Sequence, residues 1–109
     1  MNMRRAAKKD ANHNEIAKEF ERLGWIVLDL SQLKNCCDMA VTKEGRTFMV
    51  EVKDGSKPPS QRKLSEGEEK FKTKWLQGGL WNLVKSIDDV HAMNDMLEVW
   101  MMNDETNHV

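Results

Sequence analysis

Three side chains near the middle of the chain have the types and spacing for metal-assisted hydrolysis: Asp38, Glu51 and Lys53. Glu44 and Gly45 suit the two central positions of a tight turn, and in those positions they make Lys43 the partner of Arg46. Counting outward from that pair sets Asp38 directly opposite Glu51. Side chains alternate along a strand, so Met39, Val41, Phe48, Val50 and Val52 then share one face, and Asp38, Ala40, Met49, Glu51 and Lys53 share the other. Opposed Cβ atoms lie about 4.5 to 5.5 Å apart, where two carboxylates repel unless something neutralises them. A divalent cation does so, and oxygen-only ligands suit magnesium, manganese or calcium. Lys53 is then placed to orient a water or to stabilise developing negative charge. The same spacing also suits a solvated hairpin face carrying a Glu51–Lys53 ion pair and a free Asp38.

A frame must hold these residues, and the pattern of the chain predicts it. Asn12 and Glu15 have capping-box spacing, and Ile16, Phe20 and Leu23 follow at helical intervals, which predicts a helix over 12–23 ending at Gly24. Strands are expected at 25–30, 36–42 and 46–53. A loop with Gly55, Pro58 and Pro59 follows. Ser65 and Glu68 open a second helix, with Phe71 and Trp75 on one face and a stop at Gly78-Gly79. A fourth strand spans 80–85. Ser86 and Asp89 then open a third helix with Val90, Met93 and Leu97 as its apolar stripe. The order is αβββαβα, an α/β fold with a mixed central sheet flanked by helices. Because a helix joins the third and fourth strands, those two are expected to be parallel.

The 109 residues form one domain, with a basic N-terminal arm over 1–9 and an acidic C-terminal tail over 98–109. Residues 1–85 hold all 17 Lys and Arg against 12 acids, whereas residues 86–109 carry six acids and no Lys or Arg. Two basic clusters, Arg4, Arg5, Lys8 and Lys9, and Lys57, Arg62 and Lys63, suit phosphate contact, although such clusters are also common on solvated faces. The acidic end is expected to point away from a nucleic acid. Adjacent Cys36 and Cys37 rarely reach disulfide geometry and supply too few ligands for zinc, so they read as small buried side chains. His13, His91 and His108 lack ligand spacing. Trp25, Trp75 and Trp81 read as core anchors, and Trp100 as a dimer contact or a last packed strand. With no transmembrane stretch or signal peptide evident, a cytoplasmic protein is expected.

At Asp38 and Glu51-Val52-Lys53 the chain resembles the PD-(D/E)xK nuclease superfamily, with its restriction-endonuclease-like αβββαβ core. The runs Arg4 to Asn12, Glu51 to Ser60 and Leu64 to Phe71 look like small phage or prophage nucleases related to VRR-NUC and Holliday-junction resolvases, over roughly residues 4–90. The resemblance implies metal ligation by Asp38, Glu51 and the Val52 carbonyl, with Mg2+ as cofactor and Mn2+ as substitute, and Lys53 at the attacking water. It also makes Glu15 a further catalytic acid, although the capping box already explains that residue. Ser60, Gln61 and Lys63 would contact the scissile phosphate. Cys37 departs from the pattern, standing where these families usually have proline. The activity implied is a homodimeric DNA endonuclease selective for branches or junctions. The alternatives are an end- or single-strand-acting nuclease of the same superfamily, and a non-catalytic DNA-binding or protein-interaction module.

Overall fold

The computed structural model of the chain describes residues 10–107, with side chains through Asp104. Along the chain lie α1 (His13–Arg22), β1 (Ile26–Asp29), β2 (Met39–Lys43), β3 (Arg46–Val52), α2 (Glu66–Trp75), β4 (Leu80–Val84) and α3 (Ile87–Asn107). The four strands make one sheet in the order β1-β2-β3-β4. The first three form an antiparallel meander, and β4 joins β3 in parallel after the crossover through α2.

The β2–β3 turn sets the register on which the site depends. Glu44 and Gly45 both take positive φ, 54° and 79°, as a two-residue hairpin turn of matching twist requires. Lys43 therefore pairs with Arg46, and the ladder runs back to Met39 opposite Val50. The apolar face expected from alternation is the one that is sealed: Met39, Val41, Val50 and Val52 are fully buried.

Helices α1 and α3 close that face. Ile16 and Phe20 from α1 and Val90, Met93 and Leu97 from α3 complete the core. Trp25 meets Phe20 and Phe48 edge-on at ring separations of 5.4 and 5.9 Å, and its indole N–H donates to Asn94 Oδ1 at 3.0 Å. A buried tryptophan thus keeps a polar partner.

Several local features differ from expectation. The Asn12 capping box does not form; the Asn12 amide donates instead to the carbonyls of Lys53 and Lys85, at 3.3 and 3.0 Å, and so ties the start of α1 to the ends of β3 and β4. At Ser86 the expected acid partner also shifts, because Asp89 Oδ2 accepts from Lys85 N–H at 2.8 Å, one residue earlier. Residues 98–107 are not a tail but a continuation of α3. Met96, Leu97, Trp100 and Met101 extend the helical stripe, and Trp100 lies flat on Phe48, 6.0 Å away at 6°. The guanidinium of Arg46 sits 5.4 Å from the Trp100 centroid and pairs with Asp104, so a cation from the hairpin offsets the acids of this helix. Trp75 is not a core anchor: it is 36% exposed, and no residue of α2 is buried. No helix of the described residues is long and apolar enough to cross a membrane.

Candidate active site

The paired register ends at Met39 opposite Val50, and Asp38, just before β2, is held by bonds outside that ladder. Asp38 N–H donates to Val50 O at 3.0 Å, Leu30 N–H donates to Asp38 O at 2.9 Å, and the Asp38 carboxylate takes the Val52 N–H on Oδ2 at 2.7 Å. Asp38 is thus pinned between β1 and β3 by main-chain bonds. Glu51, next on β3, is only 3% exposed. Burial in a poorly solvating environment pushes its carboxyl well above the ordinary glutamate range, and hydrogen bonding with Asp38, the charge of Asp38 and the proximity of Glu68 push it further. The two carboxyl groups meet beyond the end of the paired ladder, and burial first, then the neighbouring acid, favours the protonated form of Glu51.

Lys53 supplies the nearest cation. Its Nζ lies 3.1 Å from Glu68 Oε1 and 3.9 Å from Glu51 Oε2, with the side chain 15% exposed. Burial works against the ammonium, but pairing with Glu68, Glu51 and Asp10 outweighs it and holds Lys53 above its ordinary value. Glu68 is positioned by local sequence. It closes a complete capping box in which Ser65 Oγ accepts from Glu68 N–H and Glu68 Oε1 accepts from Ser65 N–H at 2.8 Å. Burial alone would raise the Glu68 carboxyl, yet the Ser65 and Lys53 hydrogen bonds hold it below the usual value.

Together with Asp10, Cys36 and Cys37, these groups line a recess of about 180 Å³. Asp10 is raised by burial, with Lys53 opposing and Asp38 adding to the shift. His13 is buried behind Asp38, its Nδ1 4.0 Å from Asp38 Oδ1 and without a hydrogen-bond partner. Cys37 fills the position before the first acid: it is 5% exposed, with its thiol toward Met39 O at 3.6 Å and Met49 Sδ at 3.7 Å, and burial raises that thiol far above its usual value. Asn35, in left-handed conformation at φ 55°, presses its side chain against Gly67, where a Cβ would come within 2.0 Å of Asn35 Oδ1. That close approach brings the 30–37 loop against the first turn of α2 and walls the recess.

Asp38, Glu51 and Lys53 are therefore brought together, and Val52, whose side chain faces the core, has only its main chain to offer the site. Glu15 is not with them. It is exposed and borders a different recess, shared with Asp54, Arg62 and Asp89. Lys57, Ser60, Gln61 and Lys63 are exposed on the segment between β3 and α2, which includes a single 3₁₀ turn, Pro59–Gln61. Arg62 is half-buried, its Nε without a partner. Arg4, Arg5, Lys8 and Lys9 lie outside the described residues. Sequence reasoning missed Asp10, His13 and Glu68. For Glu68 a signal existed, since the capping box fixes which way its carboxylate turns.

Among the described residues no three His, Cys, Asp or Glu side chains form a ready-made metal cage. Two carboxyl groups in contact nevertheless fit a hard divalent cation that takes one or two carboxylates and keeps several waters, which is the habit of magnesium. Burial and the neighbouring Asp38 both disfavour the charged form of Glu51, an effect that such an ion would offset.

No family model matches the chain, and no curated protein matches it. Among solved structures, one described as "VRR_NUC domain" superposes with a TM-score of 0.58 and 25% sequence identity, covering 82% of this chain and 97% of that one. The shared extent takes in nearly the whole of that domain. The chain has a VRR-NUC nuclease-like fold of the PD-(D/E)xK type.

Proposed function

We propose that this protein is a nuclease that hydrolyses DNA phosphodiester bonds in a metal-dependent reaction, acting as an endonuclease on branched or junction DNA. The observation that carries the reading is the buried Glu51 carboxyl facing Asp38 across the hairpin, with the Lys53 ammonium 3.9 Å from Glu51 at one recess. Asp38, Glu51 and the Val52 carbonyl would hold Mg2+, with Mn2+ as a substitute. When bound, the cation supplies Lewis acidity toward the phosphate and the positive charge the two acids lack. Lys53 orients the attacking water and stabilises charge that develops on the phosphate oxygens; Glu68 holds the ammonium in place. Asp38, clamped by the Val52 N–H, keeps its carboxylate fixed through turnover, as preorganised electrostatics require.

Recognition of shape fits the chain. The exposed Lys57, Ser60, Gln61 and Lys63 beside the site, with half-buried Arg62, and the basic cluster Arg4, Arg5, Lys8 and Lys9 earlier in the chain, suit phosphate contacts, and such contacts position DNA without reading bases. A homodimer follows from symmetric cutting of two strands, which calls for two active sites where each chain has one.

The test is incubation with plasmid, single-stranded DNA and a four-way junction, each with magnesium and with EDTA. Cleavage of the junction in magnesium alone is expected. Calorimetric titration with manganese should show binding in the native protein and little in Asp38→Ala, and equal affinity in both would remove the metal from the hairpin.

A further inference from the structure

Phosphodiester hydrolysis as proposed makes no use of the aromatic pair on α2. Phe71 and Trp75 stand four residues apart, on the helix face that carries Glu68 into the active site. A stripe of that kind on a helix lying over a sheet is ordinarily buried. Here Phe71 is half-buried, Trp75 is 36% exposed, and the rings stack on each other at 5.5 Å and 19°. Trp75 is held in place. Its indole N–H donates to Leu80 O at 3.0 Å, and the ring rests on Gly79, where a Cβ would lie 2.4 Å from Nε1. With Lys74, Gly78 and Gly79 the two rings line an open, largely apolar recess of about 540 Å³.

Charge decides what the recess suits. The acids of α2, Glu66, Glu68 and Glu69, all lie in its first turn, where Glu66 pairs with Lys70, while Lys72 and Lys74 follow on either side of the face that carries the rings. Lys74 is exposed at the edge of the recess, and Lys72 lies 4.8 Å from the centroid of Trp81. A second copy seated here about a twofold axis would set these lysines against their own equivalents. A polyanion with flat apolar groups meets both the lysines and the rings. We propose that Phe71 and Trp75 form a stacking platform for an unpaired nucleobase of DNA whose phosphate lies at Asp38, Glu51 and Lys53, a proposal that rests on the nuclease reading. Along the helix axis the backbone positions of Phe71 and Trp75 stand about 4.5 and 10.5 Å from that of Glu68. That distance corresponds to roughly one to three nucleotides at stacked spacing. The substrate class is thereby narrowed to duplexes with an unpaired strand next to the cleavage point. Aromatic stacking accepts any base, so no sequence preference follows.

The experiment compares single-turnover cleavage in magnesium of a blunt duplex and of the same duplex with an unpaired tail, over a range of protein concentrations. Trp75→Ala should raise the half-saturating concentration for the tailed DNA about 5- to 140-fold, with the blunt duplex and the saturated rate unchanged. Trp75→Phe should keep most of the preference. Trp75→Leu, which retains apolar bulk over Gly79 without a flat indole, is decisive if the alanine variant does not fold. Equal shifts on both DNAs, or none, overturn the platform; so does conversion of a dimer to a monomer by Trp75→Ala in sedimentation, which makes the occupant a second copy. If the native protein cleaves neither of these DNAs, the nuclease reading fails only when the four-way junction is left uncut as well. The platform is then decided by fluorescence anisotropy of the same two labelled DNAs, where the absence of a tail preference that Trp75→Ala removes overturns it as well.

Discussion

The two faces of one sheet are built to opposite ends. Between one face and helices α1 and α3 lie the fully buried side chains of Phe20, Met39, Val41, Val50, Val84 and Leu97, a packed layer in which Asn94 accepts the Trp25 indole N–H. Against α2 lie Glu51 and Lys53, a helix with no buried residue and an exposed aromatic pair. One face stabilises the fold by removing apolar surface from water. The other spends some of that stability on a buried carboxyl pair and an uncovered groove, as functional sites commonly do. Residues next to each other on β3 belong to different regimes, since Val50 and Val52 secure the fold and Glu51 between them is held there at a cost.

The contrast is sharpest for variants that should act on one face only. Phe20→Ala leaves a cavity in the sealed layer and should cost about 3 to 5 kcal/mol in urea unfolding, with cleavage by the remaining folded protein close to native. A loss below about 1 kcal/mol would mean that this layer is loosely packed. Lys53→Ala should do the reverse: single-turnover cleavage at saturating protein falls by a factor on the order of 10² or more, while the melting temperature moves far less than for Phe20→Ala. Near-native cleavage by a well-folded Lys53→Ala protein would break the mechanism even with the fold intact.

The cost of Glu51 should be visible through pH. Its folded carboxyl holds a proton more tightly than the unfolded value of 4.5, so the stability it contributes is complete below that value and is lost as pH rises toward the folded one. In EDTA the native protein should therefore lose stability relative to Glu51→Gln between pH 5 and pH 8, with a slope of at most about 1.4 kcal/mol per pH unit. Magnesium should recover more stability at pH 8 than at pH 5, because the proton it must displace from Glu51 is held less firmly against the solution at the higher pH. Parallel stability curves for the two proteins in EDTA would place the charge elsewhere. The smallest effects belong to single surface cations: neutralising Lys57 and Lys63 should each lower the logarithmic salt slope of DNA binding by about one unit, and an unchanged slope would route the DNA away from this segment.

How much of this was legible in the sequence depended on the range of the signal. The hairpin register followed from Glu44-Gly45 and strict alternation as far as Met39 opposite Val50; Asp38 lies beyond that ladder, its N–H on Val50 O, and it is the side chain that meets Glu51. The order of elements and the parallel β3–β4 pair followed from periodicity and capping. Local rules failed where a distant group competed. Asn12 has the spacing of a capping residue, yet strand-end carbonyls 41 and 73 positions away take its amide. The stretch from residue 98 read as an acidic tail because nothing local announces that Arg46 and Phe48 will receive Trp100 and Asp104. Trp75 read as core because helical periodicity marks an apolar face without saying whether anything covers it. Asp10 and His13 enter the site from the segment where α1 begins, a proximity that only the folded chain creates.

The shared oxygen of Glu68 links helix fraying to chemistry. Oε1 accepts from Ser65 N–H and from Lys53 Nζ at once, so each brief opening of the first turn of α2 releases the ammonium from its anchor. The rate at which that turn breathes, readable by amide hydrogen exchange at Ser65 and Glu68, then sets how often Lys53 is free to swing. Ser65 bears no reactive group in this scheme, yet its replacement by a poorer cap would loosen the lysine without altering any residue of the motif. Divergent members of such a fold would have, in the residue that starts one helix, a means of adjusting turnover gradually.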